Sequence, residues 1–276
     1  MITSTSNTQI KELAKLQKKS RLRDERGIFL VEGPRMVEEI PKERIERLYI
    51  SESFERKNPA YIKDLGVSAE VLSDTVFSYV SDTKNPQGIL AIVKRLEYTM
   101  EDILGKSASK CEEKSGEKEK NPQNHQIRVP HVIVLDNLQD PGNLGTIIRT
   151  ADAFGADGIL LSEGCADCYS PKVLRSTMGS VFRLPIWTVP DLAQTLKELH
   201  QAGFSTFGAA LDETAICLGN FSFSQKSVAV VGNEGNGISR PVLDACQQTL
   251  YIPMKGETES LNAGVAASLI LWEMCR

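Results

Sequence analysis

Arg149 stands within LDNLQDPGNLGTIIRTADAFGADGILL, residues 135–161, where a helix otherwise made for burial carries a cation. Leu144, Ile147, Ile148, Ala151 and Phe154 recur at helical spacing and define a core-facing stripe, with Arg149 at its margin. A guanidinium beside such a stripe needs a carboxylate, a phosphate or a reaction to occupy it, because a charge out of water is costly unless paired. The lead-in DPGNLG is suited to a ligand. Asp140 before Pro141 reads as a helix N-cap followed by proline at the first helical position. Gly142 and Gly145 remove side chains so that a backbone or ligand can come close, and Asn143 falls at the positive end of the helix dipole. Capping alone explains Asp140 and Pro141 but neither the glycines nor Arg149.

Two later segments are as unusual. VVGNEGNGIS, residues 230–239, follows a run of apolar residues and holds three glycines, two asparagines and Glu234. No Lys-Ser/Thr pair follows, and the G-x-x-G-x-G spacing is not that of a dinucleotide loop. A carboxylate there would repel a polyphosphate and suit a cation or a hydroxyl-bearing ligand. IPMKGETESLNAGVAASLILWEM, residues 252–274, joins a polar lead-in to a helix rich in Ala263, Gly264, Ala266, Ala267 and Ser268. Small residues on more than one face permit close packing, and a helix apolar almost all round is expected to be buried, here against another chain.

These segments need a scaffold, and the sequence implies one. From Val129 apolar runs (HVIVLDNL, GILLSE, VFRLPIWTV, FSTFGAAL, SVAVVGNE, TLYIPM) alternate with helical patterns. That alternation predicts an α/β domain with a mostly parallel sheet covered on both faces. Ligands then gather at the carboxyl ends of strands, which selects the loops after Leu138, Leu211, Gly232 and Met254. Residues 1–96 form a separate small α/β pattern, 97–128 mix charges with Ser, Gly, Asn and Gln as a flexible linker would, and 129–276 form the second domain.

The chain has 276 residues, 41% of them hydrophobic, which is enough for two cored domains. No apolar run reaches membrane-spanning length and the start lacks a signal-peptide core, so a soluble cytoplasmic protein is expected. Six cysteines and three scattered histidines make neither a disulfide framework nor a metal centre, and Cys165-x-x-Cys168 lacks a second pair. The net charge of −4 does not advertise a nucleic-acid binder. Near the start, however, Lys11, Lys15, Lys18, Lys19, Arg21, Arg23 and Arg26 would make a helix able to neutralise phosphates, or simply a solvated basic helix.

Taken together the three segments resemble the SpoU (TrmH-type) RNA ribose 2′-O-methyltransferase family of the SPOUT superfamily. The first motif, N-x-G-x-x-x-R-x-A, stands as Asn143, Gly145, Arg149 and Ala151; the second as Gly232, Asn233, Glu234, Gly237 and Ile238; the third as Ile252, Pro253, Met254, Ser260, Leu261, Asn262 and Val265. The resemblance implies a parallel sheet whose C-terminal segment is threaded into a trefoil knot, an exception to the rule against threaded loops. It further implies S-adenosylmethionine as cofactor, a homodimer joined through the knot helices, and RNA as substrate. The unit that includes FLVEGPRMVEEI resembles an L30e-like substrate-binding domain, with Lys15, Lys18, Lys19, Arg21 and Arg23 as its RNA-binding residues.

By the same resemblance Leu211, Gly232, Ile252, Met254 and Leu261 hold the cofactor, while Arg149, Asn143, Glu234, Ser260 and Asn262 serve catalysis. The reaction would be displacement of a sulfonium methyl by a ribose 2′-oxygen. A guanidinium ordinarily keeps its proton far above neutral pH. Arg149 is therefore either a base in a desolvated, cation-crowded site or a charged clamp that stabilises the developing alkoxide, the physically cheaper role. Large-subunit ribosomal RNA is the expected substrate. Transfer RNA, or a non-catalytic role in RNA binding and ribosome assembly, are the alternatives. An ordinary Rossmann methyltransferase fits poorly, because LDNLQDPGNLG is not its glycine-rich loop.

Overall fold

The structure, a computed structural model, describes residues 1–103, 129–258 and 260–276; most of the expected linker, with Cys111 and His125, and also Glu259, lie outside the described residues. The chain divides into two compact units, one of Met1–Leu96 with Cys168–Phe182, the other of Glu97–Asp167 with Arg183–Arg276.

In the first unit the basic opening segment forms helices α1 (Thr8–Lys18) and α2 (Ser20–Arg26). Strands β1 (Ile28–Glu32), β2 (Ile45–Ser51), β3 (Ala69–Leu72) and β4 (Ile89–Lys94) make a sheet of order β1-β4-β2-β3. In it β4 is antiparallel to both neighbours and β2 is parallel to β3. Ile10, Leu13 and Leu16 recur on one face of α1 and bury against Leu30, Tyr49 and Ile92 of the sheet and Phe77. Helix α3 (Pro34–Glu38) follows β1 as its proline predicts. Two short helices without a clear apolar period, α4 (Glu52–Lys57) and α5 (Pro59–Leu65), follow β2, started by the Ser51 cap and by Pro59; α6 (Asp74–Val80) follows β3.

Residues 168–182, which composition assigned to the second domain, group with this first unit. They include helix α8 (Pro171–Thr177). Aromatic packing accounts for the attachment, since the Phe29 ring lies 4.6 Å from that of Tyr169 and 6.0 Å from that of Phe182. Part of the expected strand VFRLPIWTV is lost as a consequence. Ser180–Phe182 form a 3₁₀ turn and only Ile186–Val189 pair, as β7.

Among the described residues the second unit holds seven parallel strands in the order β7-β6-β5-β10-β8-β11-β9. These are β5 (His131–Leu135), β6 (Gly158–Ser162), β7, β8 (Ser205–Ala209), β9 (Ile216–Cys217), β10 (Ser227–Val231) and β11 (Gln248–Tyr251). The central pair β5 and β10 is buried throughout, which is why both read as continuous apolar runs. One face of the sheet (Val132, Val134, Leu160, Val228, Val230) packs on Leu192, Leu196 and Leu199 of α9 (Leu192–Gln201) and Val242 of α10 (Arg240–Asp244). Helices α7 (Pro141–Phe154) and α11 (Ala263–Cys275) pack on each other, and α11 also packs on β5 and β10. Ile103, placed in the linker by composition, is buried in the α9 cluster, and residues 100–103 are helical. The apolar Ile103, and Met100 packed partly buried against the same cluster, precede the polar run and join the core. Among the described residues no helix is long and apolar enough to cross a membrane.

Candidate active site at the carboxyl ends of the central strands

The ends of β5 and β10 and the start of α11 converge. Asp140 caps α7 by accepting from the Asn143 backbone N–H at 2.8 Å. Glu234, from the glycine-rich loop after β10, accepts the Asn143 side-chain amide at 3.0 Å and the backbone N–H groups of Asp140 at 3.0 Å and Gln139 at 3.3 Å. Because a carboxylate only accepts, the Asn143 Nδ2 must face it and the Asn143 Oδ1 must turn away. That oxygen accepts from Asn262 Nδ2 at 2.9 Å. Asn262 Oδ1 in turn accepts from the N–H groups of Gly264 at 2.9 Å and Val265 at 3.2 Å, capping α11. A Cβ on Gly264 would stand 3.1 Å from Asn262 Oδ1 and 3.4 Å from Asn143 Oδ1, so the two helix starts lie close enough that a methyl group would fill the remaining space.

Glu234 therefore orders a chain of amides that ties α7 to α11. Burial pushes its carboxyl up, but the Asn143 amide and the N–H groups of Glu234 itself, Asp140 and Gln139 outweigh that and hold it below the ordinary carboxylate value.

Beside this chain lies a cavity of about 330 Å³ whose walls include Leu211, Gly232, Ile252, Met254, Ser260 and Leu261. Its floor is the tight loop that begins at Gly232. Asn233 and Gly237 exchange two backbone hydrogen bonds of 2.9 Å, and a Cβ on Gly232 would lie 2.1 Å from the Gly237 carbonyl carbon. Glycine is required there by contact. Ala263 and Ala266 of α11 form a low wall, while Leu211, Met254 and Leu261 keep apolar surface exposed at the mouth. Apolar side chains with backbone and a few convergent polar groups, in this range of volume, suit a small organic ligand.

The structure brings together the five residues expected to hold a cofactor, together with Glu234 and Ser260, and it links Asn143 and Asn262 to them by hydrogen bonds. Arg149 does not line the cavity. It is exposed on α7 and makes no hydrogen bond or ion pair among the described residues, so the half-buried guanidinium expected from the sequence is corrected to a surface one. Helical spacing explains the separation. On α11, Gly264 and Ser268 face α7, with Ser268 Oγ 3.4 Å from Thr150 Oγ1, whereas Ala263 and Ala266 face the cavity. Val265, Leu269 and Trp272 project between those two faces and are 49%, 40% and 51% exposed. Phe154 of α7 packs edge-on against Trp272, ring centres 5.4 Å apart, and extends the apolar surface.

In the first unit Lys15, Lys18, Lys19 and Arg21 are exposed, with Arg21 paired to Glu25 at 2.8 Å. Arg23 is corrected. It is only 4% exposed, and its Nη1 donates to the Leu16 carbonyl at 2.9 Å, closing the carboxyl end of α1 where α2 folds back. Residues to which the sequence reading gave no role, Asp136 and Asn137, and Asn233 of the second motif also build the site. Asp136, Asn137 and Asn233 bind the glycine-rich loop to the end of β5. A run of Asp-Asn directly after an apolar strand was the available signal.

Residues 130–272 match the SpoU rRNA Methylase family, and residues 7–91 match the MRM3-like substrate binding domain. The chain is 33% identical over 275 residues to the 23S rRNA (guanosine(2553)-2′-O)-methyltransferase RlmP of Bacillus subtilis, covering 99% of this chain and 98% of that one. Among solved structures it is similar to the AdoMet-bound rRNA methyltransferase of Sinorhizobium meliloti, with a TM-score of 0.78 and 27% identity over 99% of this chain and 96% of that one. The SpoU methyltransferase AviRb of Streptomyces viridochromogenes in complex with AdoMet gives a TM-score of 0.78 and 27% identity over 98% and 97% of the two chains. The order of the three segments, the cavity they form and these likenesses agree: the chain belongs to the SpoU rRNA methylase family.

Proposed function

We propose that the protein is an S-adenosylmethionine-dependent RNA ribose 2′-O-methyltransferase that acts on large-subunit ribosomal RNA. The observation that carries this reading is the cavity at the carboxyl ends of β8, β10 and β11, joined through Glu234 to Asn143 and Asn262. The cavity fits S-adenosylmethionine: Leu211, Ile252, Met254 and Leu261 offer apolar contact, and the loop at Gly232 offers backbone with no side chain in the way. When bound, the cofactor supplies a methyl group made electrophilic by its sulfonium. Asn143, its amide orientation fixed from both sides, would hold the ribose or its phosphate at the cavity edge. Arg149, a fixed cation, would clamp that phosphate and stabilise charge developing on the 2′-oxygen.

The same reading includes a homodimer. The Val265–Leu269–Trp272 stripe with Phe154 is a contiguous apolar surface of the kind that monomers seldom leave open. A second copy seated there would bring Arg149 toward the partner's cavity, since Arg149 does not line the cavity of its own chain. Threading of the C-terminal segment, as family membership implies, belongs to this proposal, as do RNA contacts by Lys15, Lys18, Lys19 and Arg21. Mapping 2′-O-methyl riboses in total RNA from cells with and without the protein tests the function. Loss of one methyl from large-subunit ribosomal RNA is expected; loss from transfer RNA alone, or no change, would contradict it.

A further inference from the structure

The glycine-rich loop that floors the cavity is gripped at both ends by two adjacent residues, and one of them is a buried carboxylate. Asp136 is 1% exposed at the end of β5, where its N–H donates to Val231 O at 2.9 Å and carries the parallel ladder one residue beyond the strand. Its Oδ2 accepts from the Ser239 backbone N–H at 2.7 Å, just past the loop, and its Oδ1 accepts from Asn137 Nδ2 at 2.8 Å. Asn137 takes a left-handed backbone, φ +55°, with its N–H held by Ser162 Oγ at 2.8 Å. This turn aims the Asn137 carbonyl at the loop's other end, where it accepts from Asn233 Nδ2 at 2.8 Å. Asn233 Oδ1 then accepts from the N–H groups of Gly235 at 2.9 Å and Asn236 at 3.0 Å, so the grip continues into the loop.

Among the described residues no cation pairs with Asp136. A buried carboxylate held only by neutral donors is an expensive feature where simple packing would serve, and such donors are stronger when the acceptor is charged. Its charge also reaches the neighbourhood: burial first, and then this carboxylate, push up the Cys165 and Cys246 thiols, the latter to about 12.

We propose that Asp136, acting with Asn137, is the positioning residue of the reaction, fixing the loop from Gly232 to Ser239 so that the cavity floor and the Glu234 carboxylate are in place before any ligand arrives. The proposal rests on the methyltransferase reading. The hydrogen bonds of the Asp136 carboxylate reach no lining residue, and it acts through Ser239 and Asn137.

Asp136→Asn keeps the size of the side chain but turns one acceptor into a donor, so either Ser239 N–H or Asn137 Nδ2 faces another donor. A second variant isolates the contact from the charge. Ser239 has φ −63°, an angle proline adopts, so Ser239→Pro removes the N–H and leaves the turn's angle intact. Calorimetry with S-adenosylmethionine is expected to show affinity reduced about tenfold in each variant. The double variant should be within about twofold of the weaker single one, because both remove one interaction. At saturating cofactor, kcat should stay within about threefold of wild type, so the loss is in KM.

Amide hydrogen exchange without ligand should speed up at Gly235, Asn236 and Gly237 in both variants while the β5 and β10 amides stay protected. Unchanged exchange in the loop, or a general loss of protection with cofactor affinity unchanged in the folded fraction, would overturn the assignment. If wild type bound no S-adenosylmethionine, the functional reading would fail, and loop exchange would still decide the role of Asp136.

Discussion

The two sides of α11 are built to different standards of completion. On the cavity side a chain of polar groups already has its place: Glu234 is held by three donors, Asn143 lies between Glu234 and Asn262, and Asn262 caps the helix. Away from the cavity, Arg149 stands exposed on α7, and Val265, Leu269, Trp272 and Phe154 are apolar groups that remain partly uncovered. One chain is thus sufficient to shape a small-molecule site. The group expected to meet the RNA phosphate and the reacting oxygen waits on a face that a single chain leaves open. Cofactor recognition and chemistry should therefore come apart under mutation.

The sharpest separation is expected at Arg149. Arg149→Ala should lower methyl transfer to RNA by about a hundredfold to a thousandfold, the usual cost of removing an electrostatic stabiliser. Calorimetry should find S-adenosylmethionine affinity within about twofold of wild type. A parallel collapse of cofactor affinity would mean that the two sides of α11 are one site. Next in size is Leu269→Asp, which puts a charge into the middle of the apolar stripe. Sedimentation should show monomers in place of dimers, with methyl transfer down by about tenfold or more at micromolar protein while the thermal midpoint of the monomer is little changed. Persistence of the dimer would remove the stripe as its interface.

The smallest effect concerns pH. Glu234 is held below its ordinary carboxyl value of 4.5. Its contribution is present above that value and is lost only as pH falls through the lower folded one. Cofactor affinity should accordingly vary by less than about twofold between about pH 5 and 8 on account of this group. A decline centred within that window would show that Glu234 is not the anchor of the amide chain.

How far the sequence reveals this arrangement depends on the range of the interactions concerned. The Asp140 cap, the proline after it and the loops after β5 and β10 are local features, and the types and spacing of Asp140, Pro141, Gly232 and Glu234 disclose them directly. The alternation of strands and helices, with β5 and β10 as unbroken apolar runs, likewise predicts a parallel sheet with its ligand at the carboxyl ends. Arg149 is different. Its helix and its register are legible, but whether it points into the cavity depends on which face of α11 meets α7, and no local pattern encodes that. Arg23 misled for a related reason. It sits among exposed cations in sequence, yet the break between α1 and α2 turns it onto the Leu16 carbonyl. Tyr169 and Phe182 look like ordinary apolar residues of the second domain, and the positions of Phe29, Arg44 and Arg95 against their rings, far away in sequence, explain why residues 168–182 group with the first unit.

The most direct test of the division between the two faces uses two inactive proteins mixed. Arg149→Ala retains the cavity, and Gly232→Ala, whose added methyl collides with the Gly237 backbone, loses it while retaining Arg149. If Arg149 serves the partner's cavity, mixed dimers will contain one complete site and should recover about a quarter of wild-type methyl transfer, the share set by random pairing of two subunit types. Transfer no greater than that of either variant alone, from dimers shown to have exchanged subunits, would contradict the account and return Arg149 to the cavity of its own chain.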